Sequence, residues 1–248
     1  MPSRRFFEIR TLSNSFPYFH GLRTLAILLI IQVHVTIVPY FQFGVDFQNT
    51  WSHVSRNAWF GMDFFFILSG LLITLILLKE VDEPKDLKTF YFKRAFRIFP
   101  VFWVILAVLV FIRGVSLSDP HLWQQLLFVT NYFRHAEAVF PGTWSLAVEE
   151  HFYLIAPLSF MIFLKRASPA VRLKRLVGVW FFGLALVFGL HFALGEVDDW
   201  VGTFYFPTHV RIGSLTTGMI VALLLTHYSA YWKNIFQRRW IRVVSVAW

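Results

Sequence analysis

Long apolar runs broken by short basic segments constrain this chain more than any other feature. The runs fall near residues 22–40, 59–78, 98–112, 146–164, 176–194 and 210–227, and another starts at Trp240 and is cut by the chain end. A helix needs about 20 apolar residues to cross a bilayer, and several of these runs approach that length. Of 248 residues, 57% are hydrophobic, 30 are Phe and only 15% are charged. A soluble domain of this length would show more charge. The expected fold class is all-α: a polytopic transmembrane helix bundle, read as one domain over 1–248. The cut run predicts that the bundle continues beyond the last residue.

The placement of charge sets the topology. The net charge is +9, and 19 of the 23 Lys and Arg lie in four segments: the N-terminus to Arg23, 79–97, 165–175 and 228–242. Alternating spans bring all four segments to one side, which the excess of basic residues marks as cytoplasmic. Arg56, Arg113, Arg134 and Arg211 fall elsewhere. No basic surface separates from the spans, so nucleic acid is not an expected partner. The first run is long for a cleaved signal peptide and lacks a small-residue cleavage site, so it reads as an anchor with a cytoplasmic N-terminus. Segment 122–132 is too short to span and reads as a half-helix or interfacial helix. Pro84 and Pro169 mark solvated loops. With no Cys, thiolate catalysis, disulfides and Cys-ligated metals are excluded. The nine His show no metal-ligand spacing, so no metal is expected.

Polar groups inside apolar runs are the candidate functional residues, because lipid makes them costly. His34 lies about eleven residues into the first run, past the bilayer middle at ~1.5 Å per residue. It either bonds a neighbouring helix or acts as a base near neutral pH. Arg23 stands eleven positions before His34, three turns away, near the same face. Asp63 opens the second run, where the helix dipole favours a carboxylate. Ser69 and Gly70 suit close helix packing. Lys93, Arg94 and Arg97 lead into the third run; they fix topology or meet a cytoplasmic anion. Glu149 and Glu150 lie about one turn inside the outer end of "TWSLAVEEHFYLIAPL". Ser145, Glu149 and Tyr153 recur every four residues and share a face, while Glu150 points about 100° away. A salt bridge from this acid pair to Arg211 is one reading, and a functional acid is the other. Trp144 fits an interfacial belt. Arg211 opens an apolar helix on the outer side and needs a partner or an anionic ligand.

Five segments in order, over about residues 20–227, resemble the acyltransferase-3 family of membrane acyltransferases. "LRTLAILLIIQVHV" is similar to its first helix, with an arginine, ten residues and a histidine. "GMDFFFILSGLLI" resembles its Gly-Val-Asp-Phe-Phe-Phe segment, and "FYFKRAFRIFPVFW" its Arg-x-x-Arg-Ile-x-Pro segment. "TWSLAVEEHFYLIAPL" is similar to its Trp-Ser-Leu-x-x-Glu-x-x-Phe-Tyr segment, and "RIGSLTTG" to its Arg-x-x-x-Leu-x-x-Gly segment. The departures are His20 for a common acid, Met62 for a valine and His151 for a glutamine.

The resemblance implies a bundle of about ten helices, of which this chain lacks the C-terminal part. It implies transfer of an acyl group, usually acetyl, from cytoplasmic acyl-CoA to a hydroxyl of a carbohydrate or glycolipid acceptor. His34 would be the catalytic histidine, with Glu149 or Asp63 orienting it. Arg23, Arg94 and Arg97 would hold the donor. Trp144, Ser145, Glu150, Tyr153, Arg211 and Ser69 would bind the acceptor or support the site. Acetyl-CoA or another acyl-CoA enters as co-substrate. The expected home is the bacterial inner membrane. The competing class is a transporter or exporter whose intramembrane His and Glu relay protons; no inverted repeat or pair of broken helices supports it.

Overall fold

The computed structural model describes residues 18–43, 57–80, 86–133, 138–140 and 142–228. The run from Trp240, the loop at Pro84, Arg56, Arg134 and the basic residues before Tyr18 lie outside the described residues. Among the described residues all regular structure is helical. In chain order the helices are α1 (Tyr18–Phe43), α2 (Phe60–Glu80), α3 (Asp86–Arg113), α4 (Pro120–Leu126), α5 (Thr143–Ser159), α6 (Pro169–Leu194), α7 (Trp200–Phe204) and α8 (Thr208–His227). Short 3-10 turns cover Asn57–Trp59 and Thr130–Tyr132, and α5 continues as a π-turn over Phe160–Leu164. Five helical stretches are long and apolar enough to cross a membrane: Phe60–Leu78, Lys88–Arg113, Thr143–Leu164, Pro169–Leu194 and Thr208–His227. A shorter apolar stretch, Gly21–Val35, lies within α1.

Two helices start earlier than the apolar runs suggest. α3 begins at Asp86 rather than near 98, because its Lys and Arg continue the helix that the hydropathy pattern abandons. α6 begins at Pro169, which corrects the reading of that proline as part of a loop. Ser168 caps it by accepting from Val171 N, and Pro169 occupies the first turn, where its missing N–H costs nothing. Pro157 removes a donor inside α5, and the helix widens three residues later. The carbonyls around that π-turn are capped from α6. Arg172 donates to Leu164 O and Lys165 O, both at 2.8 Å, and Arg175 donates to Phe163 O.

The chain divides into two compact units, Met1–Ser69 and Gly70–Trp248. In the first, α2 starts against α1: a Cβ on Gly61 would stand 2.8 Å from Leu29 Cβ. In the second, α6 and α8 pack along their length. Trp180 Nε1 donates to Thr217 Oγ1 at 3.1 Å, and Gly183 faces Ile212. The α2 segment of this unit meets α8 at Gly70, beside Leu215 and Gly218. The outward faces are apolar: Phe96, Phe111, Ile162 and Phe192 are exposed, as lipid contact requires.

Segment 122–132 is not one helix. After α4, Phe128 takes a left-handed backbone (φ 56°) and turns the chain. Its ring packs on Phe99 and Phe102 of α3, with centroids 5.3 and 4.8 Å apart. Phe102 and Leu106 form a buried cluster with Leu122 and Val139. Non-helical backbone therefore runs beside the C-terminal half of a membrane-length helix. It survives there only if its polar groups are satisfied by protein.

Gln125 does much of that. It is 1% exposed, and its Nε2 donates to Phe140 O at 2.8 Å and to Thr143 Oγ1 at 3.1 Å. Phe140 N donates back to Gln125 Oε1 at 3.2 Å. Arg113 Nη1 donates to Val139 O at 2.8 Å. Gln125→Leu orphans the Phe140 amide, while the Phe140 carbonyl keeps the Thr143 hydroxyl at 3.0 Å, so it is expected to lower stability by about 1–3 kcal/mol. A thermal midpoint in detergent that drops several degrees checks this; an unchanged midpoint refutes it.

Candidate active site

The polar groups that the sequence singles out fall in both units. In the first, His34 Nδ1 lies 2.8 Å from Ile30 O, four residues back on α1. A carbonyl only accepts, so Nδ1 carries the proton and donates. Nε2 is the ring nitrogen that this bond does not use. The side chain is exposed. Arg23 is half-buried, and its Nε is buried with no hydrogen-bond partner among the described residues. Asp63 stands half-buried in the first turn of α2. Ser69 is 1% exposed.

The second unit gathers the rest around the first half of α5. Gly142, at φ 92°, turns the chain into that helix. Trp144 is buried, its ring centroid 5.3 Å from Tyr205 and 4.8 Å from Phe206. Arg211, also buried, donates from Nε to Tyr205 O at 2.7 Å, and its Cζ lies 3.8 Å over the Tyr205 ring. Trp144 therefore belongs to an aromatic box around a buried cation. Ser145 spends its hydroxyl on Gly142 O at 3.1 Å.

The acid pair meets α3. Arg94 Nη2 lies 4.0 Å from Glu149 Oε2, and Arg94 Cζ lies 3.4 Å over the Tyr153 ring. Glu149 and Tyr153 are buried, four residues apart on one face, as their spacing predicts. Glu149 thus forms an ion pair with Arg94. Glu150 is half-buried and within electrostatic reach of both Arg94 and Glu149. Its Oε1 is buried with no hydrogen-bond partner among the described residues.

This contact fixes the offset of the two helices. Arg94 precedes Arg113, the C-terminal end of α3, by about 28 Å of helix, whereas Glu149 follows the start of α5 by about 9 Å. α5 therefore begins beside the middle of α3. Arg97, one turn beyond Arg94, is exposed.

Sequence reasoning missed a second polar cluster beside this face. Thr208 Oγ1 accepts from Asn131 Nδ2 at 2.8 Å and lies 2.7 Å from His151 Nδ1. Tyr132 stacks on His209, 5.8 Å between centroids. Nothing local in the sequence links residues 131, 151 and 208.

An arginine and histidine on one helix, a buried acid under a Trp-Ser-Leu turn and a buried arginine opening α8 are the features by which a membrane acyltransferase would be recognised. The family described as an acyltransferase domain, acyltransferase-3, matches residues 16–248. The chain belongs to the acyltransferase-3 family. Among its relatives is the peptidoglycan O-acetyltransferase OatA of Listeria monocytogenes, 31% identical over 183 residues, covering 66% of this chain and 27% of the relative. The O-acetyltransferase OatA of Staphylococcus aureus is 29% identical over 229 residues, covering 84% of this chain and 34% of the relative. A putative O-acetyltransferase of Staphylococcus aureus strain COL is 28% identical over 227 residues, with the same coverage. The matched region spans about a third or less of these curated relatives. No solved structure matches the chain. This acyltransferase-3 chain is an integral membrane protein by its family and its apolar helices.

Proposed function

We propose that the chain carries the membrane part of an O-acetyltransferase. It moves an acetyl group from acetyl-CoA, bound at the basic cytoplasmic side, to a hydroxyl of a cell-envelope carbohydrate. The bacterial inner membrane is its home, with the N-terminus in the cytoplasm. The observation that carries this reading is the contact of His34 Nδ1 with Ile30 O. The histidine at the family's catalytic position has Nδ1–H committed to Ile30 O, so Nε2 is the atom left to take a proton.

In the proposed reaction, Nε2 of His34 removes the acceptor's hydroxyl proton as its oxygen attacks the thioester carbonyl. The C–S bond breaks, the coenzyme A thiolate takes the proton from the imidazolium, and an ester and free thiol result. Asp63 supplies the carboxylate that stabilises the imidazolium, as in a triad. Glu149 holds the acceptor hydroxyl. Arg23 and Arg97 hold donor phosphates, and the sequence adds Arg94 to them. Trp144, Ser145, Glu150, Tyr153 and Arg211 shape the acceptor side, and Ser69 supports helix packing. The family membership and the names of the relatives support the acetyl group and the carbohydrate acceptor.

Ligand-dependent stability tests the donor. At 100-fold excess over its dissociation constant, a ligand stabilises the folded state by about 2.7 kcal/mol. Acetyl-CoA and coenzyme A are expected to raise the thermal midpoint of the complete protein in detergent by several degrees, and ATP by less. No shift with either coenzyme form removes the donor assignment and favours the transporter reading.

A further inference from the structure

We infer that Arg94 is a positioning residue for Glu149 and not a ligand of the donor. The inference rests on the acetyl-transfer reading, and it changes the role of one of that reading's three candidate donor arginines.

Four observations carry it. The Arg94 guanidinium lies 3.4 Å over the Tyr153 ring, a stacking contact that a planar guanidinium makes and an ammonium makes poorly. Its Nη2 lies 4.0 Å from Glu149 Oε2, on the same α5 face as that ring. Its Nε is buried, and only 18% of the side chain is exposed. A nucleotide phosphate needs accessible donors. Finally, two carboxylates, Glu149 and Glu150, act on this one guanidinium.

The helix pair is held in register one turn away. Tyr91 Oη donates to Leu154 O at 3.0 Å, joining α3 to α5 at the level of Arg94 and Tyr153. Arg94 thus serves as the cation that offsets Glu149 inside the bundle and fixes where that carboxylate stands. Arg97, exposed one turn on, is left to meet the donor.

The test separates kcat from KM. The complete protein in its membrane is given acetyl-CoA at varied concentration, and acetyl transfer to envelope carbohydrate is followed for the parent, Arg94→Lys and Arg97→Gln. A displaced carboxylate is expected to lower kcat about tenfold to 100-fold. Arg94→Lys should do so with the KM for acetyl-CoA within about twofold of the parent. Arg97→Gln should raise that KM about tenfold. Coenzyme A should still shift the thermal midpoint of Arg94→Lys as it does for the parent.

If Arg94→Lys instead raises the donor KM tenfold at unchanged kcat, or folds but loses the coenzyme A shift, Arg94 is a donor ligand and the inference is wrong. If Arg94→Lys does not fold, Arg94→Gln combined with Glu149→Gln removes both charges together. A parent-like coenzyme A shift in that double variant supports the inference, and loss of the shift overturns it. Absence of transfer by the parent overturns the acetyl-transfer reading itself, and the inference falls with it.

Discussion

His34→Ala and His34→Asn are each expected to lower acetyl transfer by about 10²–10⁴-fold, the range a positioned general base supplies. The two variants fail for one reason but differ in everything else. Alanine removes both ring nitrogens. Asparagine keeps an N–H that reaches for Ile30 O, as Nδ1 does now at 2.8 Å, and has nothing where Nε2 stood. If the Nδ1 bond were the important one, as in a histidine that only packs α1, asparagine would restore most of the activity. Equal loss in both assigns the chemistry to Nε2. The same variants should keep the coenzyme A midpoint shift, because they leave the proposed donor arginines untouched. Transfer by His34→Asn within a few-fold of the parent would remove His34 from the proton step.

Gly70→Ala is expected to be the most damaging small substitution in the bundle, at about 3 kcal/mol or more. A Cβ there would stand 2.1 Å from Leu215 O, 3.0 Å from Leu215 C and 3.4 Å from Gly218 Cα. All three are backbone atoms of α8, so no rotamer change relieves the clash and the two helices must part. Parting them also disturbs Thr74, whose hydroxyl donates to Gly70 O at 2.8 Å in a fully buried position. In membranes, where apolar burial does not drive helix association, such close contacts carry the packing. Gly178 in α6 is the control: nothing lies within 4 Å of its added Cβ, so Gly178→Ala should be neutral or stabilising by up to ~1 kcal/mol. Thermal midpoints in detergent decide. Equal midpoints for the two variants would mean that α2 and α8 do not pack at Gly70.

Five of the spans were legible because lipid leaves few alternatives, and their apolar runs fall within the helical stretches among the described residues. Their ends were less so. Hydropathy cannot follow α3 down to Asp86, since Lys88, Lys93, Arg94 and Arg97 are polar yet continue the helix. The start of α6 was written in Ser168 and Pro169, a cap followed by a first-turn proline, and composition alone read them as loop. Of the site, the Glu149–Tyr153 face followed from spacing, because residues four apart always share a helix face. The Arg94 contact did not. It depends on the register of α3 against α5, which the non-helical stretch through Phe128 and Phe140 sets, and no local pattern encodes that register. The aromatic box around Arg211 was hidden in the same way, since Tyr205 and Phe206 reach Trp144 across some 60 residues of chain.

The central claim, acetyl transfer from acetyl-CoA to an envelope hydroxyl, is tested most directly by following the acetyl carbon. Membranes holding the complete protein are supplied with acetyl-CoA labelled on the acetyl group, and envelope carbohydrate is extracted and treated with mild base. Label in the carbohydrate that base releases as acetate, present with the parent and absent with His34→Ala, is the predicted result. Label that never enters carbohydrate, or enters equally with His34→Ala, contradicts it.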